Sequence, residues 1–166
     1  MSGIRIGIAV SLSTALLLPL AGCGKKDEPA AASGAKPAGQ ARTRETSVAG
    51  VVAELVESRR KDGVLTVQVR FRNTGPKPVV FYPVTLRNHD SHYVTAEDKK
   101  YFVLRDEDKT AIAPQVNPAG DVFVSLQPDA TYIWWAKYPA PPLEVKKISY
   151  YMAVTPPIDD VPISDQ

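Results

Sequence analysis

The stretch from Val64 to Asn73 alternates without a break: Leu65, Val67, Val69 and Phe71 are apolar, and Thr66, Gln68, Arg70 and Arg72 between them are polar. Strict period two puts the apolar set on one face and the polar set on the other, which predicts a half-buried β-strand. Turn chemistry brackets the run, with Lys61-Asp62-Gly63 before it and Asn73-Thr74-Gly75-Pro76 after it. A strand with one buried face needs paired neighbours and a second layer to cover it. This segment alone therefore commits the chain to a sheet architecture.

The neighbours are readable on either side. Pro78 to Leu86 is rich in branched and aromatic residues, and Pro83 inside it marks an edge or a bulge because proline has no N–H for the ladder. Tyr101 to Leu104 and Thr110 to Ala113 flank the acidic turn Asp106-Glu107-Asp108 like a hairpin. Val122 to Leu126, Thr131 to Tyr138 and Lys146 to Val154 read as three more strands, with Ile148, Tyr150, Met152 and Val154 sharing the apolar face of the last. Val48 to Arg59 fits helical spacing at Val48, Val51, Val52, Leu55 and Val56, with Ser47 as a cap. Its valine content and its short turn into the next strand favour a strand instead. The expected fold class is all-β, an antiparallel β-sandwich of about seven strands over residues 47–166.

The N-terminal part is of a different kind. Met1 to Arg5 carries one positive charge, Ile6 to Leu20 is mostly apolar, and Leu20-Ala21-Gly22-Cys23 ends the run in small residues and a cysteine. A charged start, a short apolar run and a small-residue exit predict a secretory signal peptide over 1–22 rather than a membrane span, which needs about 20 apolar residues. The closing tetrad resembles the bacterial lipobox. That resemblance implies cleavage before Cys23 and acylation of its thiol, so that acyl chains (palmitate among them) would hold the protein on a membrane. Gly24, in place of the aspartate that resembles an inner-membrane retention signal, implies the outer membrane, facing the periplasm. Cys23 is the only cysteine, so no internal disulfide is available and the domain must be held by its core.

Residues 24–46 hold no aromatic and no branched aliphatic side chain. Such a segment cannot bury enough apolar surface to offset its ordering entropy, so 23–46 is expected to be a lipidated cysteine followed by a disordered linker. The linker carries Lys25, Lys26, Lys36, Arg42 and Arg44 against Asp27, Glu28 and Glu45, and the leader carries Arg5. The formal net charge of +2 is therefore concentrated before residue 47, and the domain is close to neutral. It has no basic stripe, so nucleic acid is not an expected partner.

The run VLTVQVRFRNTGPKPV resembles the second strand and turn of bacterial immunoglobulin-like domains sometimes called telokin-like. Leu126-Gln127-Pro128-Asp129-Ala130-Thr131 resembles the loop with which those domains lead into a strand, although they usually have glycine where Asp129 stands. Ala136 to Pro142 and Pro156 to Ile163 resemble a set of uncharacterised envelope proteins. The likeness spans roughly Ser47 to Ile163. It implies an immunoglobulin-like sandwich and is silent on activity, because such folds host many functions.

Catalytic chemistry is hard to place. His89 and His92 are the only histidines, in Asn88-His89-Asp90-Ser91-His92, and imidazoles with a carboxylate between them are weak candidates for a zinc or copper site. A polar surface loop is the simpler expectation. Ser91 beside His92 lacks the oriented base that serine catalysis requires, and no Gly-x-Ser-x-Gly elbow surrounds any serine. The acidic turn at 106–108 lacks the glycine-centred calcium loop. Neither an enzyme nor a bound cofactor is expected.

Trp134 and Trp135 are adjacent on a predicted strand, so they must face opposite ways. Tyr132, Trp134, Ala136 and Tyr138 form the apolar set, which leaves Trp135 on the outer face as a candidate partner-binding anchor unless Pro139 to Pro142 folds over it. The expected function is that of a non-enzymatic, membrane-anchored binding or accessory module of the bacterial cell envelope, with an envelope protein or a cell-wall polymer as partner. The alternative is a periplasmic inhibitor or immunity protein against a cell-wall hydrolase, inserting a loop such as Asn88 to Lys100.

Overall fold

The computed structural model describes residues 42–166. The predicted leader, the lipobox Leu20-Ala21-Gly22, Cys23 and most of the predicted linker lie outside the described residues.

Within them the fold is all-β, with one 3₁₀ turn at His89–Ser91 and no α-helix. The first sheet has five strands: β1 (Arg42–Glu45), β2 (Val51–Lys61), β3 (Val64–Asn73) and β8 (Thr131–Pro139) in that order, with the short β11 (Ser164–Asp165) also on β2. The second has four, ordered β10 (Thr155–Pro162), β9 (Lys147–Met152), β5 (Tyr93–Ala96) and β6 (Lys99–Phe102). The third pairs β4 (Val79–Val84) with β7 (Val122–Leu126). All pairings are antiparallel except β11 on β2.

The alternation of β3 is realised as expected. Leu65, Val67, Val69 and Phe71 are fully buried, and the strand is flanked by β8 in an unbroken ladder and by β2 in a ladder with one slip. The buried face of this sheet meets both others. Phe71 packs on Phe81 of β4, with ring centroids 5.0 Å apart, and Trp134 of β8 donates from Nε1 to Tyr150 Oη of β9 at 2.9 Å. The absence of a disulfide is thus met by one aromatic and aliphatic core drawn from all three sheets.

Of segment 48–59, residues 48–50 form a turn and Val51 onward is strand β2, and its helical look has a local cause. The ladder from β2 to β3 slips between Leu55 and Glu57, leaving Val56 as a bulge residue. Val51, Ala53 and Leu55 point inward before the bulge, and Ser58 and Arg60 point inward after it. A bulge reverses the face of every later side chain, and period two broken once imitates a longer period.

Several expectations on element boundaries need correction. Arg42–Glu45, read as the end of a disordered linker, forms β1 on β2. Main-chain pairing with β2 carries that strand, so its polar composition gave no signal. Thr110 to Ala113 is not a strand: a single bridge joins Arg105 to Ala111, and both arms turn to β8 instead. Leu104 N donates to Lys137 O at 2.8 Å, and Lys137 N donates to Ile112 O at 3.1 Å. The segment from Asn88 to Lys100 is not a free loop, since it contains the 3₁₀ turn and β5 and enters β6. β10 was not foreseen because Pro156, Pro157 and Pro162 interrupt it; two register shifts in its pairing with β9 accommodate them.

Candidate functional site

The two tryptophans separate as the alternation requires. Trp134 is fully buried, whereas Trp135 is 37% exposed on the outer face of the first sheet. Cross-strand register places Gln68 beside Trp135 and Arg70 beside Ile133, which is 39% exposed on the same face. Arg70 is held in turn by Glu54 of β2 at 2.9 Å. The result is a small platform of Ile133 and Trp135 bordered by an amide and a fixed guanidinium. Apolar anchors rimmed by hydrogen-bonding groups are the usual make-up of a recognition surface.

Pro139 to Pro142 does not cover this platform. Arg60, only 5% exposed, ties that segment down from the core side, donating from Nη1 to the carbonyls of Pro141 and Pro142 and from Nη2 to Val145 O. Its Nε reaches Asp165 of β11 at 2.7 Å, and Ala140 N donates to Gly63 O. The guanidinium beside Asp165 lowers that carboxyl's pKa.

His89 and His92 are placed in the core rather than in a polar surface loop. His92 is fully buried and stacks on Trp134 at 4.4 Å, and His89 lies against the same indole at 6.5 Å. Each Nε2 faces a carbonyl, Pro83 O for His92 at 2.8 Å and Pro114 O for His89 at 3.2 Å. A carbonyl only accepts, so Nε2 carries the proton in both rings. Burial lowers the pKa of His92 to about 4, against the pull of Pro83 O, with His89 adding a smaller push in the same direction. Asp90, the carboxylate between them, faces away and pairs with Arg105 at 3.0 Å. Among the described residues no three histidine, cysteine or acidic side chains converge as metal ligands. Ser91 donates to Asn88 O, closing its own turn.

Beneath the platform sits a buried polar knot that composition did not reveal. Tyr150 Oη accepts from Trp134 Nε1 and lies 3.3 Å from Tyr138 Oη. Burial pushes Tyr150 up to about 12 and Tyr138 well above its usual range, so both phenols stay protonated. The knot fixes β8 against β9 and so fixes the strand that carries Trp135.

Two other surfaces were missed. Tyr93 stacks on Tyr151 at 4.7 Å on the outer face of the second sheet, with Lys100 Nζ 4.5 Å over the Tyr93 ring. The ring face of Tyr93 is thereby occupied within the protein. A shallow groove of about 540 Å³ adjoins this sheet, lined by Thr95, Lys100, Lys147, Ser149 and Asp160 among others, and Lys147 and Asp160 pair across it at 3.5 Å. On the third sheet Tyr82 and Phe123 meet edge to face, both exposed. The signal for each lay in cross-strand register, which one sequence does not contain.

Comparison of the chain with protein-family models, with curated proteins and with solved structures gives no match.

Proposed function

We propose that this protein is a lipid-anchored, non-enzymatic binding module of the bacterial cell envelope. In this reading acyl chains on Cys23 attach it to the outer membrane on the periplasmic side, and an immunoglobulin-like sandwich presents the outer face of β8 to an envelope protein or a cell-wall polymer. The observation that carries the binding role is Trp135, exposed beside Ile133 on a strand whose opposite face is locked into the core. The lipobox resemblance of Leu20-Ala21-Gly22-Cys23 supports the anchor, and the sequence likeness together with three antiparallel sheets around one core supports the sandwich.

Two variants test the reading separately. Cys23→Ser is expected to move the protein from the membrane fraction to the soluble one and to abolish incorporation of labelled palmitate. Trp135→Ala combined with Arg70→Glu is expected to leave fractionation unchanged and to remove co-isolated envelope components. Retention of every association in the double variant would contradict the assignment of the site.

A further inference from the structure

The parity of the β8 ladder decides where its main chain points. Asn73 N donates to Ala130 O, so even-numbered residues of this stretch turn their amides toward β3. Lys137 bonds the other way, with its N–H to Ile112 O and its carbonyl from Leu104 N. The odd-numbered residues therefore turn their amides away from β3, along the outer edge of the sheet. At Lys137 that edge is already filled by Leu104 and Ile112. At Ile133 and Trp135 no backbone group among the described residues fills it.

The edges of the two larger sheets differ in how they are guarded. β10 carries three prolines and two register shifts, β6 opens with Lys99 and Lys100, and β1 carries Arg44 and Glu45. Proline, bulges and charge are the devices that stop an edge from pairing with another chain. Thr131 to Trp135 has no proline, no charged side chain and no slip in register, and it is built from residues that favour extended structure.

We infer that β8 receives an extended polypeptide segment of a partner protein, added as a further strand along Ile133 and Trp135 in line with the Leu104–Ile112 pairing; this rests on the binding-module reading above and narrows its partner to a polypeptide. The alternating N–H and C=O groups of an open edge match, in spacing and direction, those of another extended main chain, a repeat that the hydroxyls of a glycan do not reproduce. Side chains of the guest on the outer face lie beside Ile133 and Trp135 and are apolar. Arg72 and Lys137 flank the pair from either end, and neither has an acidic partner among the described residues. The guest accordingly carries acidic residues outside its apolar ones.

The test pans a displayed library of random short peptides against the full chain, with the Ile133→Pro chain as counter-target. Proline at 133 removes an outward N–H and none of the bonds to β3, and unchanged near-UV circular dichroism verifies its fold. Selected peptides are expected to alternate, to pair apolar with acidic residues, and to bind the Ile133→Pro chain at least about tenfold more weakly. Synthetic versions N-methylated at alternate amides give a second readout that needs no variant of the protein. One methylation register is expected to lose about tenfold in affinity and the other to lose nothing. No enrichment over the counter-target, or equal loss in both registers, would overturn strand addition. A concentration-dependent dimer abolished by Ile133→Pro would overturn it too, by making the occupant a second copy of this chain. Panning reads the edge without the membrane, so it can fail while the anchor and co-isolation tests of the binding role succeed.

Discussion

His92 is an imidazole that the fold holds neutral. Its ring is sealed against Trp134, Nε2 is spent on Pro83 O, and Nδ1 has no partner in the core. Adding a proton at Nδ1 would bury a charge, which is why the folded pKa sits at about 4 rather than 6.5. Between these values the unfolded chain binds the proton and the folded chain does not. The contribution of His92 is therefore fully present above pH 6.5 and is lost as pH falls toward 4. The whole shift amounts to about 3 kcal/mol. Urea unfolding at pH 7.5 and pH 4.5 is expected to show this loss in the native chain and not in His92→Gln, the difference between the two chains removing the carboxylate contribution. Equal pH slopes would contradict it. Tyr150 makes a second test at this scale. Tyr150→Phe leaves the Nε1–H of Trp134 and the hydroxyl of Tyr138 without their shared partner, and is expected to cost about 2–4 kcal/mol in the same assay. A loss below about 0.5 kcal/mol would mean that the knot does not hold β8.

At the scale of elements, the strands legible in the sequence are those whose side chains decide their burial. β3, β7, β8 and β9 alternate, and alternation is a property of the chain itself. β1 is held by main-chain pairing to β2, and β11 by the same pairing together with side-chain bonds such as Arg60 to Asp165; both carry polar residues, so nothing in their composition distinguishes them from linker. β10 defies strand propensity because its register shifts absorb the prolines. The histidines misled for a related reason: polar residues in a short Asn-His-Asp-Ser-His run suggest a surface, and only the fold shows that Pro83 and Pro114 supply carbonyls inside. The outward turn of Trp135 was legible from alternation, while the bareness of its edge was not, since that depends on where Leu104 and Ile112 stop. Arg60 binds the last elements together, bridging β2, the proline segment and β11. Arg60→Met removes the donor from several buried carbonyls at once and is expected to cost about 3 kcal/mol. Hydrogen exchange should place the loss at 139–145 and 164–166, and a uniform change across the first sheet would contradict a local clamp.

Over the whole molecule, stability and, in the proposed reading, recognition are drawn from opposite faces of one strand. Trp134, Ala136 and Tyr138 join β8 to the core, and Ile133 and Trp135 face outward from it. A site on a rigid strand is held more closely than one on a loop, and in the proposed reading the linker before β1 lets that site reach a partner while Cys23 keeps it at the membrane. In the proposed reading Trp135 meets a defined partner in the envelope. The most direct measurement is photo-crosslinking in the living cell from a photoreactive residue at position 135, with position 105 as control, read by mass spectrometry. One defined polypeptide is expected to be trapped at 135 and to be absent at 105. No specific product at 135, or the same product from both positions, would contradict it.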